Sequence, residues 1–229
     1  MAEQTPETLN HFTVASFTAA YWQLPAEARR QVRADWLGGL RQAMDALHLY
    51  QVAGLEPSAD LLLWSAVADA GPEATERLFA GFAAALGPVR QFVGLRETLW
   101  GYTRPSQYTK ARSTQELDPF AATRLPFLIV YPFVKTPGWY RLDPDTRQQM
   151  MAGHIRIGTQ YKDITQLLLY SFGLQDQEFV VVYEAGDLRR FLALVKELRG
   201  TEARLYTQRD SPLHTGRYQP DAEALEHWL

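Results

Sequence analysis

One histidine stands where it could hold a metal. His154 lies in the run PDTRQQMMAGHIRIGTQY, with Met150 and Met151 four and three residues before it and Ile157 and Tyr161 three and seven after it. On a helix these spacings collect on one face, so the imidazole points inward. An inward imidazole is either a metal ligand or a satisfied core residue, and the spacing leaves both open. The chain has no cysteine, which removes disulfides, thiolate zinc sites, iron–sulfur clusters and cysteine nucleophiles. Five histidines remain as candidate ligands: His11, His48, His154, His214 and His227.

The elements that must position His154 follow from periodicity. A β-prone strand is expected over His11 to Leu24 and a helix over Pro25 to Leu47, opened by proline in its first turn. Along that helix Val32, Trp36, Leu40 and Met44 recur at helical spacing. Strands at His48 to Ala53 and Leu61 to Asp69, a helix at Pro72 to Leu86 and a strand at Gln91 to Thr103 complete a β-α-β-β-α-β order. Residues 104–125 are polar and punctuated by proline, so they read as a connecting loop. The same order then returns: strand Phe127 to Val134, helix Pro144 to Tyr161, strands Thr165 to Ser171 and Phe179 to Glu184, helix Asp187 to Leu198, strand Ala203 to Gln208.

The repetition is visible in the letters as well. Tyr21-Trp22-Gln23-Leu24-Pro25 with Arg29 in the first half answers Trp139-Tyr140-Arg141-Leu142-Asp143-Pro144 with Arg147 in the second. A duplicated domain is the simplest account. The predicted fold class is α+β: tandem ferredoxin-like repeats forming a dimeric α+β barrel, with halves at 9–103 and 126–218, the loop between them and a tail at 219–229. Two such units meeting sheet to sheet bury their free faces, and a cavity between sheet and helices suits a flat ligand.

Composition limits the function classes. The hydrophobic set makes up 46% of 229 residues, enough for one large core or two stacked small ones. A formal net charge of −3 gives no broad basic surface, so no nucleic-acid partner is expected. The start of the chain lacks a basic segment followed by an apolar one, and no run approaches the length of a membrane span, so a soluble, cytoplasmic protein is expected. Gly-rich phosphate loops, His-Glu-x-x-His and Gly-x-Ser-x-Gly do not occur.

Several spaced motifs together resemble the chlorite dismutase superfamily and, within it, the coproheme decarboxylases. They are Tyr131-Pro132-Phe133-Val134-Lys135, Trp139-Tyr140, Met151-Ala152-Gly153-His154, Gly158-Thr159-Gln160-Tyr161, the run Ser171 to Phe179, Thr201-Glu202-Ala203-Arg204 and Pro212-Leu213-His214-Thr215-Gly216. The likeness covers roughly residues 126–218, with a more diffuse echo in Gly101 to Ser106.

The resemblance implies that His154 is the proximal iron ligand of iron coproporphyrin or heme b, with Glu202 as the acceptor that fixes its tautomer. It implies that Tyr131 is oxidised and takes hydrogen from a porphyrin propionate, releasing carbon dioxide at the expense of hydrogen peroxide. Lys135 shares a strand face with Tyr131 by two-residue alternation and is placed to hold a propionate beside the phenol. Trp139 matches a tryptophan near the propionates and equally suits a core anchor. Read without the family, Tyr131 is an aromatic at a sheet surface and Glu202 a carboxylate at a helix end.

Gln166 aligns with the distal position, where chlorite dismutases carry an arginine. The loop histidine of actinobacterial relatives is missing, with Glu116 near its place. The expected activity is therefore coproheme decarboxylation. A chlorite dismutase or weak peroxidase of the same fold, and a non-catalytic heme-binding module, are the alternatives. Relatives assemble as rings, so a homo-oligomer, by resemblance a pentamer, is expected.

Overall fold

A computed structural model describes residues 7–108 and 114–228. The first half runs β1 (Leu9–Phe17), α1 (Ala19–Trp22), α2 (Ala26–Ala43), β2 (Ala46–Gln51), β3 (Leu61–Val67), α3 (Pro72–Leu86) and β4 (Val93–Thr103). The second runs β5 (Phe127–Lys135), α4 (Pro137–Arg141), α5 (Pro144–Gly158), β6 (Ile164–Tyr170), β7 (Phe179–Ala185), α6 (Leu188–Leu198), β8 (Thr207–Arg209) and β9 (His214–Gln219).

Each half is a four-stranded antiparallel sheet, ordered β4-β1-β3-β2 and β6-β7-β5-β9. Pairing of β4 with β6 (Tyr102 opposite Tyr170) and of β2 with β9 (Leu49 opposite Gln219) joins the two sheets edge to edge into a closed barrel. Closure removes the edges that would otherwise seek a partner. The tandem ferredoxin-like, dimeric α+β barrel expected from the sequence is the fold observed.

Burial explains the unbroken apolar strands. All nine residues of β1 are buried, because Phe12 and Val14 face the barrel interior while Leu9, Ala15 and Phe17 face the helices. The interior is filled, with Trp64, Leu62 and Tyr50 meeting Leu128, Val130, Leu167 and Val182 of the other half. Outside it, α2 buries Val32, Arg33, Trp36, Leu37, Leu40 and Ala43. Gly81 lets α3 close on α2, since a Cβ there would lie 2.1 Å from that of Ala43.

Three expectations need correction. β1 ends at Phe17 and the aromatic run continues as the one-turn helix α1, because Thr18 caps it through its side chain. The helix expected to Leu47 stops at Ala43, freeing Ala46–Gln51 to pair with β3. The last strand is not Ala203 to Gln208: Glu202–Tyr206 forms a 3-10 turn and His214–Gln219 completes the second sheet. Gly216 marks this closure, since a Cβ there would come 2.6 Å from that of Tyr50. Beyond β9 the chain crosses back to the first half, where Leu225 is fully buried and Glu226 pairs with Arg30.

His214 ties the halves together inside the barrel. Its Nδ1 meets Glu56 at 2.7 Å and its Nε2 meets Glu97 at 2.6 Å, so one imidazole of β9 bridges two carboxylates of the first half. Deleting it leaves two partly buried carboxylates without this shared hydrogen-bond partner. His214→Ala is expected to lower unfolding free energy by about 2 kcal/mol, read as a fall in Tm at neutral pH. An unchanged Tm would show that the bridge carries no net stability.

Candidate functional site

The two halves share a topology but not a packing. In the first, α2 is pressed onto its sheet; in the second, its counterpart α5 has no fully buried residue. The sheet face opposite is correspondingly bare, with Gln166 exposed and Leu168 44% exposed on β6. Met150, Met151, His154 and Ile157 of the helix are each only half-buried, and the space between them and this sheet face is the candidate cleft.

The helix is held firmly at both ends. Asp143 caps its start by accepting from Thr146 N–H at 2.8 Å, with Pro144 in the first turn. At its far end Gln115 of the connecting loop donates to the carbonyls of Gly158 (3.3 Å), Tyr161 (2.8 Å) and Ile164 (3.0 Å). His154 therefore projects from a fixed scaffold. Its Nδ1 is sealed from solvent and has no hydrogen-bond partner among the described residues. Burial, aided by the charge of Lys135, pulls the imidazole down to about 4, so the ring is neutral and keeps a free lone pair at physiological pH.

The sheet wall is built from β5, β7 and β6. Tyr131 lies opposite Val181, which lies opposite Leu168; Ile129 lies opposite Tyr183, which lies opposite Gln166. Directly paired residues share a face, so Tyr131, Tyr183 and Gln166 all point to the helix side. Ile129, Tyr183 and Ile164 pack there with Phe191 and Leu194 of α6, and Tyr131 leans on that cluster.

Lys135 extends the same wall. A register shift falls between Val134 and Lys135, yet Nζ still lies 5.3 Å from the Phe133 ring centroid and 4.1 Å from that of Trp139. The ammonium is buried, donates to the Ala203 carbonyl at 3.2 Å, and has no carboxylate in ion-pair range among the described residues. Burial, with the charge of Arg204, pulls its pKa down to about 8. Trp139 is 3% exposed, packs against the tilted Tyr206 ring with centroids 5.7 Å apart and hydrogen-bonds Tyr108 of the loop, so it anchors the core and floors the cation at once.

Four of the six residues singled out in the sequence line this cleft: His154 on the helix, Tyr131 and Gln166 on the sheet, Lys135 on the adjoining strand end. Trp139 supports Lys135 from beneath. Glu202 is exposed at the start of the 3-10 turn that packs beside α5, and no hydrogen bond joins it to His154 Nδ1.

Comparison with known proteins places this architecture. The sequence profile described as chlorite dismutase matches residues 26–219. The chain belongs to the chlorite dismutase family. Within reach of that family are the coproheme decarboxylase of Mycolicibacterium smegmatis, 32% identical over 172 residues that cover 73% of this chain and 71% of that one, and the coproheme decarboxylase of Staphylococcus saprophyticus, 28% identical over 222 residues covering 87% and 88%. A solved chlorite dismutase variant from Candidatus Nitrospira defluvii superposes with a TM-score of 0.82 at 23% identity, over 99% of this chain and 96% of that one, which speaks for the fold.

Other groups of this chlorite dismutase family member escape sequence reading. Glu116, a position suggested only by its place in the loop, forms a parallel β-bridge with Gln166, with backbone hydrogen bonds of 2.8 and 2.9 Å on either side. Its neighbour Leu117 is buried in the barrel interior, so alternation turns Glu116 to the cleft side with Gln166. Glu178 accepts from the backbone N–H of Lys135 at 2.7 Å and from the Tyr140 hydroxyl at 2.5 Å, closing the rim. Gln115 and Glu178 had no sequence signal, because a polar residue in a loop carries no periodicity to read.

Proposed function

We propose that this chain binds iron coproporphyrin in the cleft between α5 and the β5-β7-β6 face and, with hydrogen peroxide, decarboxylates two of its propionates to give heme b. The supporting observation is the second-half cleft, with a neutral imidazole on one wall and, on the other, a phenol and a buried ammonium that has no carboxylate in ion-pair range among the described residues. These groups fit the ligand chemically: a nitrogen donor for iron, apolar Leu168 and Val181 for the macrocycle, and a cation for a carboxylate. The two curated relatives, both coproheme decarboxylases, support the same reading.

When bound, the iron porphyrin supplies the centre at which peroxide is reduced. Per propionate, the peroxide O–O bond breaks and takes two electrons and two protons to give two waters; the propionate loses carbon dioxide, two electrons and a proton to become vinyl. The protein's residues divide the remaining work. His154 would hold the iron through one ring nitrogen, and Glu202, on the turn packed beside α5, is the carboxylate we assign to the other. Tyr131 gives up an electron and its phenolic proton, then recovers a hydrogen atom from the propionate chain. Lys135 holds that carboxylate on the Trp139 ring, out of water, where the ion pair is strong. Gln166 offers a neutral amide on the cleft wall for the peroxide oxygens. It lacks the cation that would retain an oxychlorine group.

We further propose a cytoplasmic homo-oligomer, a pentamer by likeness to the family. Exposed Leu192 (66%), Leu205 (79%) and Leu213 (44%) favour further burial between copies, and no described helix is long and apolar enough to cross a membrane.

Anaerobic titration with ferric coproheme, then stepwise hydrogen peroxide with mass analysis of the porphyrin, tests the activity. Loss of two carboxyl groups is expected. Tight binding with an unchanged porphyrin mass would make the chain a heme-binding module instead.

A further inference from the structure

Lys135 hangs from a strand end that another residue holds. The β5–β7 ladder stops at Phe133 opposite Phe179, and a register shift against β8 follows between Val134 and Lys135. Lys135 is past the last ladder pair on the β7 side, and there a side chain takes its amide: Glu178 Oε2 accepts from the Lys135 N–H at 2.7 Å. The same oxygen accepts from the Tyr140 hydroxyl at 2.5 Å. The backbone of Glu178 is fixed from two sides, its N–H donating to the Phe133 carbonyl at 3.2 Å and its carbonyl accepting from Ser171 N–H at 2.8 Å. One half-buried carboxylate therefore ties the end of β5 to the start of β7, the end of β6 and α4. What it ties down borders the ammonium. Trp139, next to Tyr140 in α4, lies 4.1 Å from Lys135 Nζ, and Tyr140 packs edge-on against Phe172 at 6.2 Å, which meets Phe179 at 4.8 Å on the rim of the cleft.

We propose that Glu178 is a positioning residue for Lys135: its carboxylate sets the strand end from which the ammonium projects and the α4 segment on which it rests, so that the cation meets a porphyrin propionate at one fixed place. The inference rests on the decarboxylase reading and deepens it by naming what aims the carboxylate anchor. A lysine carries its charge on a flexible four-carbon stem. At its tip Lys135 has a hydrogen bond to the Ala203 carbonyl at 3.2 Å, so where the tip stands depends on where its backbone starts and on the ring beneath it. Glu178 holds both. An amide left unpaired beside a buried side chain is costly, which is why the strand end stays closed on this oxygen. The charge of Glu178 also favours the ammonium, against burial and Arg204, yet no carboxylate among the described residues lies in ion-pair range of Nζ, which leaves the cation to the substrate.

Glu178→Gln keeps an acceptor oxygen for both donors, and Glu178→Met keeps the length of the side chain without an acceptor, so the fold survives in each. Amide hydrogen exchange is followed in apo protein. Soret titrations then compare ferric coproheme with its tetramethyl ester, which has the same macrocycle and no carboxylate. Glu178→Met is expected to speed exchange of the Lys135 amide and to weaken coproheme binding roughly tenfold, the scale of one lost hydrogen-bond pair, with ester binding unchanged. In a Lys135→Met background the same substitution is expected to cost nothing further. Glu178→Gln is expected to keep slow exchange and to bind coproheme within roughly threefold of the wild type. Equal losses for coproheme and its ester, or a tenfold loss that persists when Lys135 is already methionine, overturn the proposal, since Glu178 would then hold the fold and not the cation. Wild-type affinity in Glu178→Met, or a Glu178→Gln variant as weak as Glu178→Met, overturns it as well. Wild-type protein that does not bind ferric coproheme overturns the decarboxylase reading and this inference with it; the exchange measurement, which needs no porphyrin, separates that failure from the absence of the Glu178 bond.

Discussion

Tyr131→Phe is expected to bind ferric coproheme as the wild type does and to release no carbon dioxide when peroxide is added. The phenyl ring keeps its place against Tyr183 and the cluster of Ile129, Phe191 and Leu194, so shape and burial are retained. What is lost is one oxygen at a half-buried site, on the order of 1 kcal/mol of stability at most. The chemical loss is far larger. A phenol can surrender an electron and a proton together, whereas a phenyl ring has no acidic hydrogen and no accessible one-electron oxidation at neutral pH. Decarboxylation should fall by at least about a hundredfold, the range typical when a group acting on the reacting proton is removed. Mass analysis of the porphyrin after stepwise peroxide gives the answer directly. Two carboxyl groups lost from the variant at a rate within tenfold of the wild type would remove Tyr131 from the chemistry.

The sequence carried the fold through repetition and carried the site through periodicity. The Tyr-Trp and Trp-Tyr segments before Pro25 and Pro144 announce the duplication, and both halves close as the same four-stranded sheet. Alternation along β5 and helical spacing along α5 put Tyr131, Lys135 and His154 on facing walls before any coordinates are known. The last strand was illegible because β9, HTGRYQ, has little β-branched or apolar character; its place is set by closure against Tyr50 and β5, a long-range constraint with no local sign. Tyr183 was illegible for the opposite reason. In Phe-Val-Val-Val-Tyr every residue reads as core, and only the register of β7 against β5 shows that its ring lies diagonal to that of Tyr131 on the same face. The Glu202 pairing came from family likeness alone, and the turn that bears it leaves its carboxylate in solvent. The gap beneath α5 is the least legible feature of all: both helices carry apolar residues at helical spacing, yet α2 buries six of its residues and α5 fully buries none.

That gap makes His154 the most consequential single residue for binding. His154→Ala is expected to weaken ferric coproheme binding by at least about a hundredfold, since it removes the nitrogen donor while leaving the apolar walls. Its helix should persist, because Asp143 and Gln115 hold its ends and alanine favours the helical backbone. Imidazole added in solution should restore the ligand-field bands of the complex by occupying the truncated space. The pH dependence separates the two polar groups of the cleft. With its pKa lowered from 6.5 to about 4, His154 stays neutral from about pH 5 upward, so ligation needs no proton release there. In the apo protein the unfolded state takes up a proton at this site below pH 6.5 and the folded state only near 4, so folding stability falls as pH drops through that window, and His154→Ala should flatten the fall. Lys135 works at the other end. Its pKa of about 8 means the ammonium is charged below that value and increasingly neutral above it, so wild-type affinity for the carboxylate-bearing porphyrin should decline above pH 8 in both proteins. A Soret titration from pH 5 to 9 reads both effects. Equal affinity and an identical spectrum in His154→Ala would assign the iron to another residue.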